Sequence, residues 1–163
     1  MAERDLALYR PNVGVVLANR DGQVWIGRRA GTPGPHNWQF PQGGVDPGED
    51  PRTAAFRELK EETGAVSATV LARTEEWIAY DFPVGHRRRK GERWLGQKQL
   101  WFALRFTGDD REFDLAAHHE IEFDAWRWAD PAEALDGVVS FKRETYRHVL
   151  TTFAAALKPE RQG

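Results

Sequence analysis

Three glutamates in one short stretch carry the clearest chemistry in this chain. Residues 43–65 read GGVDPGEDPRTAAFRELKEETGA, with Glu58, Glu61 and Glu62 at i, i+3 and i+4. On a helix turning about 100° per residue these three share one narrow stripe. Ala55, Phe56, Leu59 and Thr63 fall on a neighbouring arc that can face a core. Like charges at this spacing destabilise an isolated helix by a few tenths of a kcal/mol per pair. One reading of the stripe is a solvated acidic face. The other is a site for a hard divalent cation: Mg²⁺ takes oxygen ligands and keeps positions open for water and substrate phosphates. An ion held there would polarise a phosphoryl oxygen and lower the pKa of a water molecule. Arg57, beside the stripe, can orient a carboxylate through two parallel hydrogen bonds.

The elements that must position this stripe are legible around it. Asp50 is an N-cap, Pro51 suits the first helical position and Gly64 suits the position after the last turn, so a helix is expected over residues 51–63. Before it, residues 30–48 are dense in Gly and Pro and read as loop, with a short strand around 38–40. Residues 13–18 and 24–26 are apolar and β-branched about the turn Arg20-Asp21-Gly22, which predicts a hairpin. Strands are expected at 66–74, 77–82 and 123–128, and at 98–106, where Leu100, Phe102, Leu104 and Phe106 alternate onto one core-facing side. Residues 85–96 form a loop rich in Arg. From Ser140, an N-cap candidate, Tyr146, Val149, Leu150, Phe153 and Leu157 recur at helical spacing. Strands interleaved with two substantial helices predict an α/β (α+β) fold whose sheet is covered on both faces.

Composition excludes several classes of function. The chain has 163 residues, 40% hydrophobic and 29% charged, the ordinary mix of one globular domain. A single domain over 1–163 is expected, with about 158–163 as a disordered tail. The absence of cysteine removes thiol catalysis and any Cys-ligated metal. A net charge of −2 is not that of a non-specific nucleic-acid coat, and no apolar run approaches the roughly 20 residues that span a bilayer. The first dozen residues lack the apolar stretch of a secretory signal, so a cytoplasmic protein without a membrane partner is expected. His118-His119 has no recognised metal spacing and reads as surface.

Gly43, Glu49, Arg57, Glu58, Leu59, Glu61, Glu62 and Gly64 match the pattern G-x5-E-x7-R-E-U-x-E-E-x-G-U, and the chain thereby resembles the Nudix hydrolase family. The one departure is Ala65, where the pattern has a bulky aliphatic residue. Seven fixed identities and one loose apolar position put a chance match at about one in ten million, a strong signal for the family. The resemblance implies a Nudix fold, a mixed β-sheet sandwiched between α-helices, and hydrolysis of a polyphosphate linkage. It implies Mg²⁺, with Mn²⁺ as a substitute and two or three ions with substrate, held by Glu58, Glu61 and Glu62. Glu49 would organise the loop, and the backbone at Gly43 would lie close to metal and phosphate.

Further strings are similar to one branch of that family: YRPNVG at 9–14, WQFPQGG at 38–44, GQKQ at 96–99, EFD at 122–124 and VSFKR at 139–143. The branch holds bacterial RNA pyrophosphohydrolases, which turn a 5′-triphosphate RNA end into a monophosphate, and dinucleoside-polyphosphate hydrolases. By this resemblance Glu122 is a further metal-approaching carboxylate, Tyr80 and Phe141 form a base sandwich, and Arg10, Arg29, Gln97, Lys98 and Lys142 contact phosphate or nucleotide. Glu58 and then Glu122 are the candidate bases, with Arg57 as the third catalytic candidate. The expected substrate is 5′-phosphorylated RNA in mRNA decay or, as the alternative, diadenosine tetraphosphate cut to ATP and AMP; DNA is not expected, and a monomer is. A nucleotide-sensing module that kept the fold and lost catalysis, and a Nudix hydrolase of ADP-ribose, sugar nucleotides or oxidised nucleotides, are the remaining readings.

Overall fold

Two long strands are buried almost without alternation, which marks strands covered on both faces. β1 (Tyr9–Ala18) is buried throughout from Asn12 onward, and β7 (Gly96–Phe106) from Gln99 onward. In the computed structural model, which describes residues 3–86 and 91–160, these strands run parallel in register from Tyr9↔Gly96 to Ala18↔Arg105. Around them lie β2 (Val24–Arg29), β3 (Trp38–Gln39), β4 (Gln42–Gly44), β5 (Ala68–Arg73), β6 (Ile78–Asp81) and β8 (Phe123–Ala129). The eight-stranded sheet has the path β3-β2-β1-β7-β5, with β4 on β1, β6 on β7 and β8 on β2. Every pairing but β1 with β7 is antiparallel, so the sheet is mixed.

Helices cover both faces, as the sequence predicts. On one side Val13, Val15, Leu17, Phe102 and Leu104 pack with Ala55 and Leu59 of α1 (Pro51–Thr63). On the other, Val16, Trp101 and Ala103 pack with Tyr146 and Val149 of α3 (Arg143–Thr152) and with Phe153 beyond it. Among the described residues no helix is long and apolar enough to cross a membrane.

Four local expectations need correction. The strand at 98–106 is buried on both faces, because Trp101 and Ala103 lie under α3 while Leu100, Phe102 and Leu104 face α1. The C-terminal helix is broken: Ser140–Lys142 forms a 3₁₀ turn, Ser140 makes no cap, and the chain leaves the helix after Thr152 while Phe153 and Leu157 still bury. A third helix, α2 (Pro131–Gly137), is set by a capping box between Asp130 and Glu133. Finally, residues 158–160 are held in place. Buried Arg105 needs acceptors and finds the carbonyls of Asn19 (2.5 Å), Ala156 (3.3 Å) and Lys158 (2.8 Å), while Glu160 N–H donates to Arg20 O at 2.9 Å. The rest of the expected tail, 161–163, and the run 87–90 of the basic loop lie outside the described residues.

Candidate active site

The helix α1 begins where the Asp50 carboxylate accepts from Thr53 N–H at 3.2 Å, and it ends at Gly64 in the left-handed region, φ 84°. Burial of Ala54, Ala55 and Leu59 fixes its rotation, which turns Glu58 and Glu62 toward β4. Pairing of β4 with β1 (Gly14↔Gln42, Val13↔Gly43) draws the glycine turn against the helix. A Cβ on Gly43 would overlap the Glu58 carboxylate, so only glycine lets backbone and carboxylate approach this closely.

Arg57 organises half of the acids. Its Nε and Nη2 donate to both oxygens of Glu49 at 2.8 Å, its Nη2 also to Gly44 O at 2.8 Å, and its Nη1 to Glu58 (2.8 Å) and Glu61 (3.2 Å). Glu49 in turn accepts from Asp46 N–H at 3.0 Å, which ties the loop to the helix. The hydrogen bonds from Arg57, with that of the Asp46 amide, hold the Glu49 carboxyl at a pKa of about 2.

The other half has no such partner. Glu62 is 8% exposed and accepts from Gln42 N–H at 3.1 Å. Neither it nor Glu122 has an ion pair within 4 Å among the described residues. Burial, then the charges of Glu58 and Glu122, push the Glu62 carboxyl well above the ordinary glutamate range. Glu58 is also raised, by burial against the pull of Arg57. Glu122 arrives from the opposite side: the β2–β8 pairing sets Arg29 beside Phe123, and Glu122 O accepts from Ala30 N–H at 2.9 Å. Clustered carboxylates, one of them buried and unpaired, fit a divalent cation as their counter-charge. Among the described residues no three acidic or histidine side chains already close into a cage. An open oxygen site of this kind suits Mg²⁺, which keeps several waters or phosphates in its shell.

Facing the acids is a groove of about 360 Å³ whose walls include Arg10, Arg29, Gln42, Tyr80, Phe141 and Lys142. The Tyr80 hydroxyl donates to Gln97 Oε1 at 2.5 Å, and burial pushes it up to about 12. Phe141 is 37% exposed and lies 6.0 Å from Tyr80 at a 48° tilt, so the two rings form a wedge-shaped mouth. Lys142 Nζ sits 3.4 Å from the side-chain oxygens of Gln39 and Gln42, and burial, reinforced by Arg29, lowers it to about 8. Arg10 and Arg29 have no ion pair and no side-chain hydrogen bond among the described residues. Lys98 is not brought to the groove. Strand alternation separates it from Gln97, and its ammonium lies 5.0 Å over the Trp77 ring.

A NUDIX domain model matches residues 8–149. The chain belongs to the Nudix family. Curated relatives are similar along nearly all of it: an RNA pyrophosphohydrolase of Caulobacter vibrioides is 54% identical over 155 residues, covering 94% of this chain and 90% of that protein. One from Rhodospirillum rubrum is 47% identical over 153 residues, covering 93% and 91%. Among solved structures, a C. elegans Ap4A hydrolase (TM-score 0.63, 22% identity, 90% of this chain and 98% of that one) and the E. coli dihydroneopterin triphosphate pyrophosphohydrolase (TM-score 0.69, 22% identity, 89% and 99%) share the fold.

The Nudix-box residues thus run from Gly43 on β4 through the loop at Glu49 and along α1 to its stop at Gly64, and hydrolases of this family work with a divalent metal. The departure at Ala65 falls at a fully buried position in the core beside Leu59, away from the carboxylates. Some contributors carry no signal in spacing. Gln42 acts through its backbone N–H, and Gln39 through an acceptor that only the fold brings to Lys142. At the rim His86 Nε2 lies 3.5 Å from a Glu92 carboxylate oxygen, and its ring stacks on Phe82.

Proposed function

We propose that this Nudix hydrolase is an RNA 5′ pyrophosphohydrolase that uses Mg²⁺ and converts a 5′-triphosphate end and water to a 5′-monophosphate end and pyrophosphate. The observation that carries this reading is charge of both signs left without an ion pair beside one groove. Among the described residues Glu62 and Glu122 have no ion pair within 4 Å, and neither do Arg10 and Arg29 on the groove wall. A polyphosphate together with its metal ions satisfies both at once. The names of the bacterial relatives at about half identity support the RNA end as the substrate.

In this reading Glu58, Glu61, Glu62 and Glu122 hold the ions, with the backbone at Gly43 alongside. Bound Mg²⁺ polarises a phosphoryl oxygen and lowers the pKa of water. Arg57 engages Glu58 Oε1 and leaves Oε2 to take the proton of the attacking water. Arg29, Arg10 and the buried ammonium of Lys142 bind the phosphate chain and stabilise charge on the leaving phosphate. Phe141, with Tyr80 behind it, offers a face to the base, worth roughly 1–3 kcal/mol.

The test is a Mg²⁺-dependent assay of 5′-triphosphate RNA, 5′-diphosphate RNA and diadenosine tetraphosphate side by side. Faster turnover of RNA is expected; turnover of the dinucleotide alone would refute the RNA assignment. Hydrolysis of dinucleoside polyphosphates is the second reading, because they present the same base, sugar and phosphate chain to this groove.

A further inference from the structure

Arg10 borders two cavities. One is the groove of Tyr80 and Phe141; the other, of about 610 Å³, lies between the loop at Val45, Pro47 and Glu49 and the indoles of Trp77 and Trp94. Its size is that of a small-molecule pocket, and nothing in the hydrolytic scheme above occupies it. Both indoles carry a cation on their rings: Arg93 lies 5.3 Å from the Trp94 centroid and Lys98 lies 5.0 Å from that of Trp77. Flat aromatic walls with positive charge around them suit a heteroaromatic ring attached to an anion.

The position of Arg10 decides which ring that is. Its Nη2 lies 2.8 Å from where a Cβ on Gly44 would stand, directly over the glycine turn. Glu49, on the cavity wall, belongs to the Arg57 cluster of the same turn. A phosphate held by Arg10 therefore lies between the two cavities. A 5′-triphosphate RNA ends at its last phosphate and has nothing to send further. A dinucleoside polyphosphate continues through that phosphate to a second nucleoside.

We propose that the Trp77–Trp94 cavity is the subsite for the second nucleobase of a dinucleoside polyphosphate whose first base lies in the Tyr80–Phe141 groove. The assignment rests on the phosphohydrolase reading for the position of the phosphate chain. It makes the two substrate classes separable by mutation, since both use the groove and the acids while one uses this cavity.

The experiment compares wild type, Trp94→Ala and Trp94→Phe on diadenosine tetraphosphate, on adenosine 5′-tetraphosphate, which lacks the second nucleoside, and on 5′-triphosphate RNA. Calorimetric Kd values for a non-hydrolysable diadenosine tetraphosphate analogue accompany the rates. Trp94→Ala is expected to raise KM and Kd for the dinucleotides roughly tenfold, the size of one lost base stack. Trp94→Phe recovers most of that loss, and the other two substrates stay within about twofold of wild type. Val45→Phe, which fills the cavity and removes no ring, is expected to act in the same selective direction, and it decides the matter if Trp94→Ala does not fold. An equal loss on all three substrates, no loss on the dinucleotide, or a loss confined to RNA would each overturn the assignment. If wild type turned over none of the three, the hydrolase reading would fail, and the analogue's Kd in the variants would still decide the subsite.

Discussion

Arg57 and Arg10 meet the same glycine from opposite directions and do different things. Arg57 donates to Gly44 O and to three carboxylates, so its hydrogen-bonding capacity is spent within the protein. Arg10 stands beside Gly44 where a Cβ would lie, and neither it nor Arg29, which lines the same groove, has an ion pair among the described residues. The acids divide in the same way. Glu49, Glu58 and Glu61 belong to Arg57, whereas Glu62 and Glu122 have no ion pair within 4 Å among the described residues and feel the Lys142 ammonium from beyond that distance. Charges already paired build the site, and charges left over define what it binds. A buried unpaired carboxylate costs stability, and here that cost marks the position where metal and substrate enter.

Glu62→Gln breaks the unpaired side most severely. Its Mg²⁺-dependent kcat/KM is expected to fall by about 10²–10³. Its effect on stability has the opposite sign. The folded-state pKa of Glu62 is raised above 4.5, so protonation favours the fold, and this contribution is full below pH 4.5 and lost as pH rises through the folded value. In EDTA at pH 8 the variant should therefore melt a few °C above wild type, about what 1 kcal/mol moves in a domain of this size. The gap should close toward pH 5; equal melting at both pH values would contradict the uncompensated burial.

Arg57→Ala attacks the paired side. Its side chain is 28% exposed, and its loss strands three carboxylates, so about 2 kcal/mol of stability should go, close to 5 °C in Tm. The acid limb should change as well. In wild type the low pKa of Glu49, about 2, contributes stability above the ordinary value of 4.5 that disappears as pH falls toward 2. The variant should lack that limb in melts between pH 2 and 7. A variant as stable as wild type at every pH would show that the cluster does not build the site.

Arg29→Ala sharpens the contrast because it removes an unpaired charge. KM for 5′-triphosphate RNA should rise roughly tenfold and its dependence on salt should weaken, with Tm unchanged within about 1 °C. A drop in Tm as large as that of Arg57→Ala would erase the distinction. The smallest effect belongs to Phe141→Ala, about fivefold in KM for RNA from the lost stack. No change is expected for inorganic triphosphate, which has no base; an equal loss on both would place Phe141 in the phosphate site.

The acidic stripe, its caps and its core arc were legible because helical geometry alone brings i, i+3 and i+4 together. The hairpin was legible from β-branched runs about a turn, and the long strand of β7 from the alternation of Leu100, Phe102, Leu104 and Phe106. Burial of the far face of β7 was not, because Trp101 and Ala103 look ordinary until α3 is laid over them. The break in the C-terminal helix was hidden for a similar reason: Tyr146, Val149, Phe153 and Leu157 keep helical spacing although the backbone stops being helical after Thr152. The order at 158–160 depends on Arg105, a buried cation whose acceptors come from three distant carbonyls.

The sequence by itself determined the catalytic helix, since cap, stripe and glycine stop lie within one local segment and need only backbone geometry to be placed. The tertiary structure decided which of the charges are spent and which are free. Glu122 reaches the stripe through β8, Arg10 and Gly44 meet through the pairing of β1 with β4, and Lys142 finds its glutamines across a hundred residues of chain. Whether a charge is paired is a question of distance and desolvation between segments far apart in sequence, and only the folded chain sets those.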